Sequence, residues 1–69
     1  MPHVMMLKVN PKGKIVSLQG LPSGIKGKRF DEVFEVDGSG SVFKAKLNGE
    51  IFTASKIKVD DGYIIVLLP

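Results

Sequence analysis

Sixty-nine residues, no cysteine, ten Lys and Arg against seven Asp and Glu, and 43% hydrophobic residues describe a small, mildly basic chain. A chain of this length makes one domain, residues 1–69, around a single small core. Without a thiol it has neither a disulfide nor a cysteine-held zinc to brace that core, and with His3 as its one histidine it lacks the parts of the usual nucleophile systems. An enzyme is therefore not expected, and neither is a cofactor.

The N-terminal stretch Met1-Pro2-His3-Val4-Met5-Met6-Leu7 has no basic segment and no small-residue cleavage site, so it does not read as a secretory leader. The longest apolar run, Tyr63-Ile64-Ile65-Val66-Leu67-Leu68, falls far short of the ~20 residues of a spanning helix. A cytoplasmic protein with no membrane partner is the expectation.

In chain order, residues 4–9 and 14–19 are two hydrophobic runs separated by Asn10-Pro11-Lys12-Gly13. Asn first, Pro second and Gly fourth suit a type I turn, which predicts a hairpin. Leu21-Pro22-Ser23-Gly24-Ile25-Lys26-Gly27 reads as loop. Within residues 28–36, Phe30, Val33 and Phe34 recur at i, i+3, i+4, while Asp31, Glu32 and Glu35 fall on the other side. This spacing predicts an amphipathic helix of about two turns, too short to hold in water unless docked on a sheet. Asp37-Gly38-Ser39-Gly40-Ser41 is expected to end it as a mobile loop. Asn48-Gly49 between Val42–Leu47 and Glu50–Val59 is a strong hairpin signal, since a type I′ turn needs positive φ at both central residues. Asp60-Asp61-Gly62 supplies the last reversal into residues 63–68. The expected fold is α+β: a hairpin, a short helical crossover and a three-stranded meander, making a five-stranded antiparallel sheet with one short helix.

Side-chain alternation indicates how the sheet is used. Phe43, Ala45 and Leu47 alternate with Lys44 and Lys46, one face dry and one wet. The last strand is apolar on both faces, as in a central strand covered on both sides. One short helix covers one face only. The other face then calls for a partner, and a homodimer is the simplest, with Val4, Met6, Ile64, Val66 and Leu68 as the interface candidates. The chain stops directly after this strand, as expected of an excised domain or a very compact one.

The order hairpin, helical crossover, meander, with the last strand central, resembles that of a PAS domain. Met6-Leu7-Lys8-Val9-Asn10-Pro11-Lys12-Gly13-Lys14-Ile15-Val16 is similar to the opening hairpin of that family, and Gly27-Lys28-Arg29-Phe30-Asp31-Glu32-Val33-Phe34 to its Gly-led short helix. Leu47-Asn48-Gly49-Glu50 and Asp60-Asp61-Gly62-Tyr63-Ile64-Ile65-Val66 are similar to the closing hairpins. Two departures stand out: the crossover of about 20 residues is short for the helical wall of such domains, and Gln19-Gly20 stands where an asparagine is common. The chain has no cysteine for flavin attachment, and His3 is in the wrong place to hold haem. The resemblance therefore implies a sensory or dimerisation module of a signalling protein, without a bound chromophore, pairing with itself or with other domains of a larger protein.

Charge is split along the chain. Lys8, Lys12, Lys14, Lys26, Lys28 and Arg29 precede the first acid, Asp31. Gly20, Gly24 and Gly27 lie too irregularly for a phosphate loop, yet Lys26, Lys28 and Arg29 at the predicted helix start are the expected contact for any anion. Lys44, Lys46, Lys56 and Lys58, sharing a wet face near Phe52, are the alternative reading: a small basic β-domain binding single-stranded nucleic acid. Lysines that guard sheet edges explain the same residues with less, so nucleic acid is not the expected partner. No metal is expected either, because His3 has no companion ligand and Asp60-Asp61-Gly62 lacks the rest of a calcium loop.

Overall fold

The computed structural model describes residues 4–69, so His3 and the first three residues of the N-terminal stretch read for a leader lie outside the described residues. Among these residues six strands form one sheet: β1 (Met5–Val9), β2 (Ile15–Gln19), β3 (Glu35–Asp37), β4 (Val42–Leu47), β5 (Glu50–Val59) and β6 (Gly62–Leu68). Their spatial order is β2-β1-β6-β5-β4-β3, and every neighbouring pair is antiparallel. The expected PAS-like α+β fold of five strands and a helical crossover is corrected. The described chain is an all-antiparallel sheet of six strands, with a 3₁₀ turn at Ser23–Ile25 and one four-residue helix, α1 (Phe30–Val33).

The predicted two-turn helix over residues 28–36 contracts for a local reason. One turn already puts Phe30 and Phe34 on one side, closed by the Phe34 N–H donating to the Phe30 carbonyl at 2.9 Å. Phe34 then leaves with extended backbone, φ −107° and ψ 136°. Glu35, Val36 and Asp37 pair with Lys46, Ala45 and Lys44 of β4, which sets a β-branched residue in a ladder and an acid opposite each lysine. A second helical turn would forgo those pairs. Glu35 is thus a strand residue, and Gly38 to Ser41 form the connection of the β3–β4 hairpin instead of a helix end.

Other turns form where their residues suggest. Asn48 (φ +50°) and Gly49 (φ +84°) take the two positive-φ positions between β4 and β5. Asn10 Oδ1 accepts from the backbone N–H of Lys12 at 3.0 Å and of Lys14 at 2.9 Å, an Asx turn that closes the β1–β2 hairpin. The register slips between Lys8 and Val9, which face Ser17 and Ile15, leaving Val16 as the extra, exposed residue of a bulge.

One face of the sheet carries the core. Leu7 and Val9 of β1, Ile15 of β2, Phe43 and Ala45 of β4, Phe52 and Ala54 of β5, and Ile65 and Leu67 of β6 are buried together with Phe30 and Phe34. Phe30 stacks on Phe34 with centroids 4.5 Å apart and meets Phe43 edge-on at 6.2 Å. The crossover is laced to the first hairpin by backbone bonds: Ile15 N–H to Lys28, Gly27 N–H to Ile15 and Phe30 N–H to Gly13, at 2.8 to 2.9 Å. Lys14 and Arg29 form an isolated bridge at the same place.

Candidate functional site

Because paired residues of an antiparallel ladder point the same way, the register sorts the remaining side chains. Met6 faces Val66, Ile64 lies between Lys8 and Ile57, and Leu68 faces Thr53, all on the side away from the core. The crossover packs on the other side. Ile57, Ile51 and Leu68 are 53%, 59% and 57% exposed, with Met6, Ile64 and Val66 half-buried between their neighbours. Four of the five candidate interface residues, Met6, Ile64, Val66 and Leu68, therefore share this outer face. Val4 is exposed just ahead of β1, outside the ladder. Ile57 joins the patch and went unassigned in the sequence. The turn at Asp60-Asp61 pairs Val59 with Gly62, so Ile57 must meet Ile64, and that parity was the available signal.

The face is balanced in charge. Glu35 lies beside Lys46 and Asp37 beside Lys44 at one margin. At the other, Lys8 Nζ and Asp61 Oδ1 are 3.0 Å apart. The Lys8 ammonium, by hydrogen bond and by charge, holds the exposed Asp61 carboxyl below the usual aspartate range.

The basic residues are arranged differently from expectation. Lys44, Lys46, Lys56 and Lys58 do not share a wet face. A two-residue turn pairs Leu47 with Glu50, and so Lys44 with Thr53 and Lys46 with Ile51. Lys56 and Lys58 fall on the opposite, core-bearing side, beyond Phe52 and Ala54, where they pair with Ile65 and Tyr63. Phe52 is buried and offers no stacking surface. Lys44 Nζ instead donates to Thr53 Oγ1 at 2.8 Å. Lys26, Lys28 and Arg29 are exposed on the crossover. Arg29 Nε and Nη2 donate to Asp31 Oδ1 and Oδ2, each at 3.2 Å, and no full helix starts there to present amides to an anion.

On the core-bearing side the sheet leaves a cleft of about 340 Å³ between the Asn10–Gly13 turn, the start of α1 and the Gly38-Ser39-Gly40 loop. Phe30, Phe43, Tyr63 and Ile65 line it, with Arg29 and Lys56 among its polar walls. Lys56 Nζ lies 4.8 Å and Lys58 Nζ 5.3 Å from the centroid of the Tyr63 ring, within cation–π range.

Compared with protein-family models, curated proteins and solved structures, the chain matches none. Nothing in those comparisons identifies a PAS domain. Among the described residues no helix is long and apolar enough to cross a membrane, and no group of three His, Asp or Glu side chains is placed to hold a metal ion.

Proposed function

We propose that this domain works by association with a second copy of itself through the outer face of β1, β6 and β5, as a dimerisation or sensory input module of a signalling protein. The observation that carries the reading is the apolar surface formed by Met6, Ile57, Ile64, Val66 and Leu68 on the side of the sheet that the crossover leaves bare. Three strands at ~4.8 Å spacing and about six residues at ~3.4 Å give a plan area of roughly 300 Å², the size of the largest apolar patch on a typical monomer, which is often a functional one. The lysines and acids at its margins offset one another, so two copies meet without net like-charge repulsion. The patch is smaller than the ~800 Å² per partner of a standard interface, so the dimer is expected to be weak and concentration-dependent.

Light scattering at tens of micromolar is expected to report a dimer. Ile64→Lys and, separately, Leu68→Lys on the more exposed rim are expected to give folded monomers with the wild-type circular dichroism spectrum. A wild-type chain that stays monomeric at those concentrations overturns the proposal, as does a Leu68→Lys variant that dimerises as well as the wild type.

A further inference from the structure

We propose that the cleft beside Tyr63 binds a nucleobase with its attached phosphate, the base against the Tyr63 ring and the phosphate at Lys56 and Lys58. The surface is apolar at its base and cationic at its rim. Phe30 and Phe43 are the least buried members of the core, at 8% and 9% exposure, and both reach the cleft. A volume of about 340 Å³ is at the small end of ligand pockets, the scale of a single nucleotide unit. The two ammonium groups rest on the Tyr63 ring, and a base that takes their place against the ring leaves both charges to turn to its flanking phosphates. The positive character extends outward. Lys12 and Lys14 flank the lining residue Gly13, and Lys28 precedes the lining residue Arg29. Asp31, the one acid lining this cleft among the described residues, is engaged by Arg29. Charge complementarity therefore selects an anion, and the aromatic wall selects a flat one. This differs from the stripe read in the sequence: it takes Lys56 and Lys58 with Tyr63, and it leaves out Lys44, Lys46 and Phe52. It is also independent of association through the outer face.

The test is fluorescence anisotropy with a fluorescein-labelled oligothymidylate about ten nucleotides long, with thymidine monophosphate as competitor in a second arm. The oligonucleotide is expected to bind at low salt. Its log affinity should fall linearly with log salt, by about 0.7 for each phosphate contacted. Lys56→Gln with Lys58→Gln should weaken binding roughly tenfold or more and flatten the salt slope by about 1.4. Tyr63→Leu should weaken it roughly fivefold or more with the slope unchanged, the mark of lost stacking. Lys44→Gln with Lys46→Gln, on the outer face, should leave affinity within twofold. Competition by the monophosphate at equal nucleotide concentration identifies a free nucleotide as the ligand, and much tighter binding of the oligomer identifies a strand. No binding of either probe at low salt overturns the proposal. So does a Lys44/Lys46 pair that costs as much as the Lys56/Lys58 pair, because attraction would then be generic.

Discussion

At the scale of single residues, Gly62 is the glycine with the least room for a side chain. Its φ of +140° is a conformation that side chains disfavour, and a Cβ there would run into the carbonyl oxygen of Val9 and come within 3.0 Å of Asn10 Cα. The missing side chain lets β6 pair with β1 as far as Val9 opposite Tyr63. That pairing in turn aims Tyr63 into the cleft. Gly62→Ala is expected to cost about 2 kcal/mol or more, a large share of the ~3–5 kcal/mol that a core of this size supplies. The measurement is the urea midpoint at fixed protein concentration. An unchanged midpoint would mean that the backbones do not meet so closely.

At the scale of elements, β3 is three exposed residues on the sheet edge, paired with β4 so that Glu35 stands opposite Lys46 and Asp37 opposite Lys44. Glu35→Lys with Asp37→Lys sets like charges directly opposite one another. The expected cost is roughly 0.2–1 kcal/mol for each pair, confined to this edge. Hydrogen exchange should quicken in β3 and β4 with little change in β1 and β6. Equal protection in the wild type and the double variant would show that backbone pairing alone holds the edge. This strand was hard to read from the sequence because residues 30–36 satisfy two periods at once. Phe30 and Phe34 suit one helical turn, and Phe34 and Val36 suit strand alternation. Partners seven to eleven residues further on, in β4, decide between them, and the periodicity of residues 30–36 carries no sign of that pairing. The turns at Asn10-Pro11-Lys12-Gly13, Asn48-Gly49 and Asp60-Asp61-Gly62 were legible for the opposite reason: their special backbone angles are set by the residues themselves. The outer face was legible because β6 is apolar at every second position on both sides. The cleft was not, since it joins Arg29, Phe43 and Tyr63 from three distant segments. The separation of Lys44 from Lys56 was latent in the two-residue turn, whose register alone determines it.

At the scale of the whole molecule, the accessible surface is 4703 Å², and an interface of standard size takes about 800 Å² per partner. A stable dimer would therefore cover roughly a sixth of the protein, more than the plan area of the apolar patch alone. Charged margins must join in, and the association should be modest. Its thermodynamic signature is linkage: if two copies stabilise each other, the urea midpoint rises with protein concentration. For Leu68→Lys the midpoint is expected to be independent of concentration. A wild-type midpoint that does not move with concentration would count against self-association as clearly as a scattering measurement.

The position of β6 also bears on how the molecule is made. The strand nearest the C-terminus of the sheet lies between β1 and β5, so it joins the first hairpin to the meander. During synthesis, β1–β2 can form as soon as residues 5–19 emerge, and β3–β4–β5 once residue 59 has followed. The two-stranded β1–β2 hairpin is marginal by itself. Until residues 62–68 arrive, β1 and β5 each present an unpaired edge beside exposed apolar side chains, in a chain whose closing contacts span nearly its full length. A chain that lacks residues 62–68 is therefore expected to keep both edges open, with the hairpin and the meander unjoined and prone to pair with other chains.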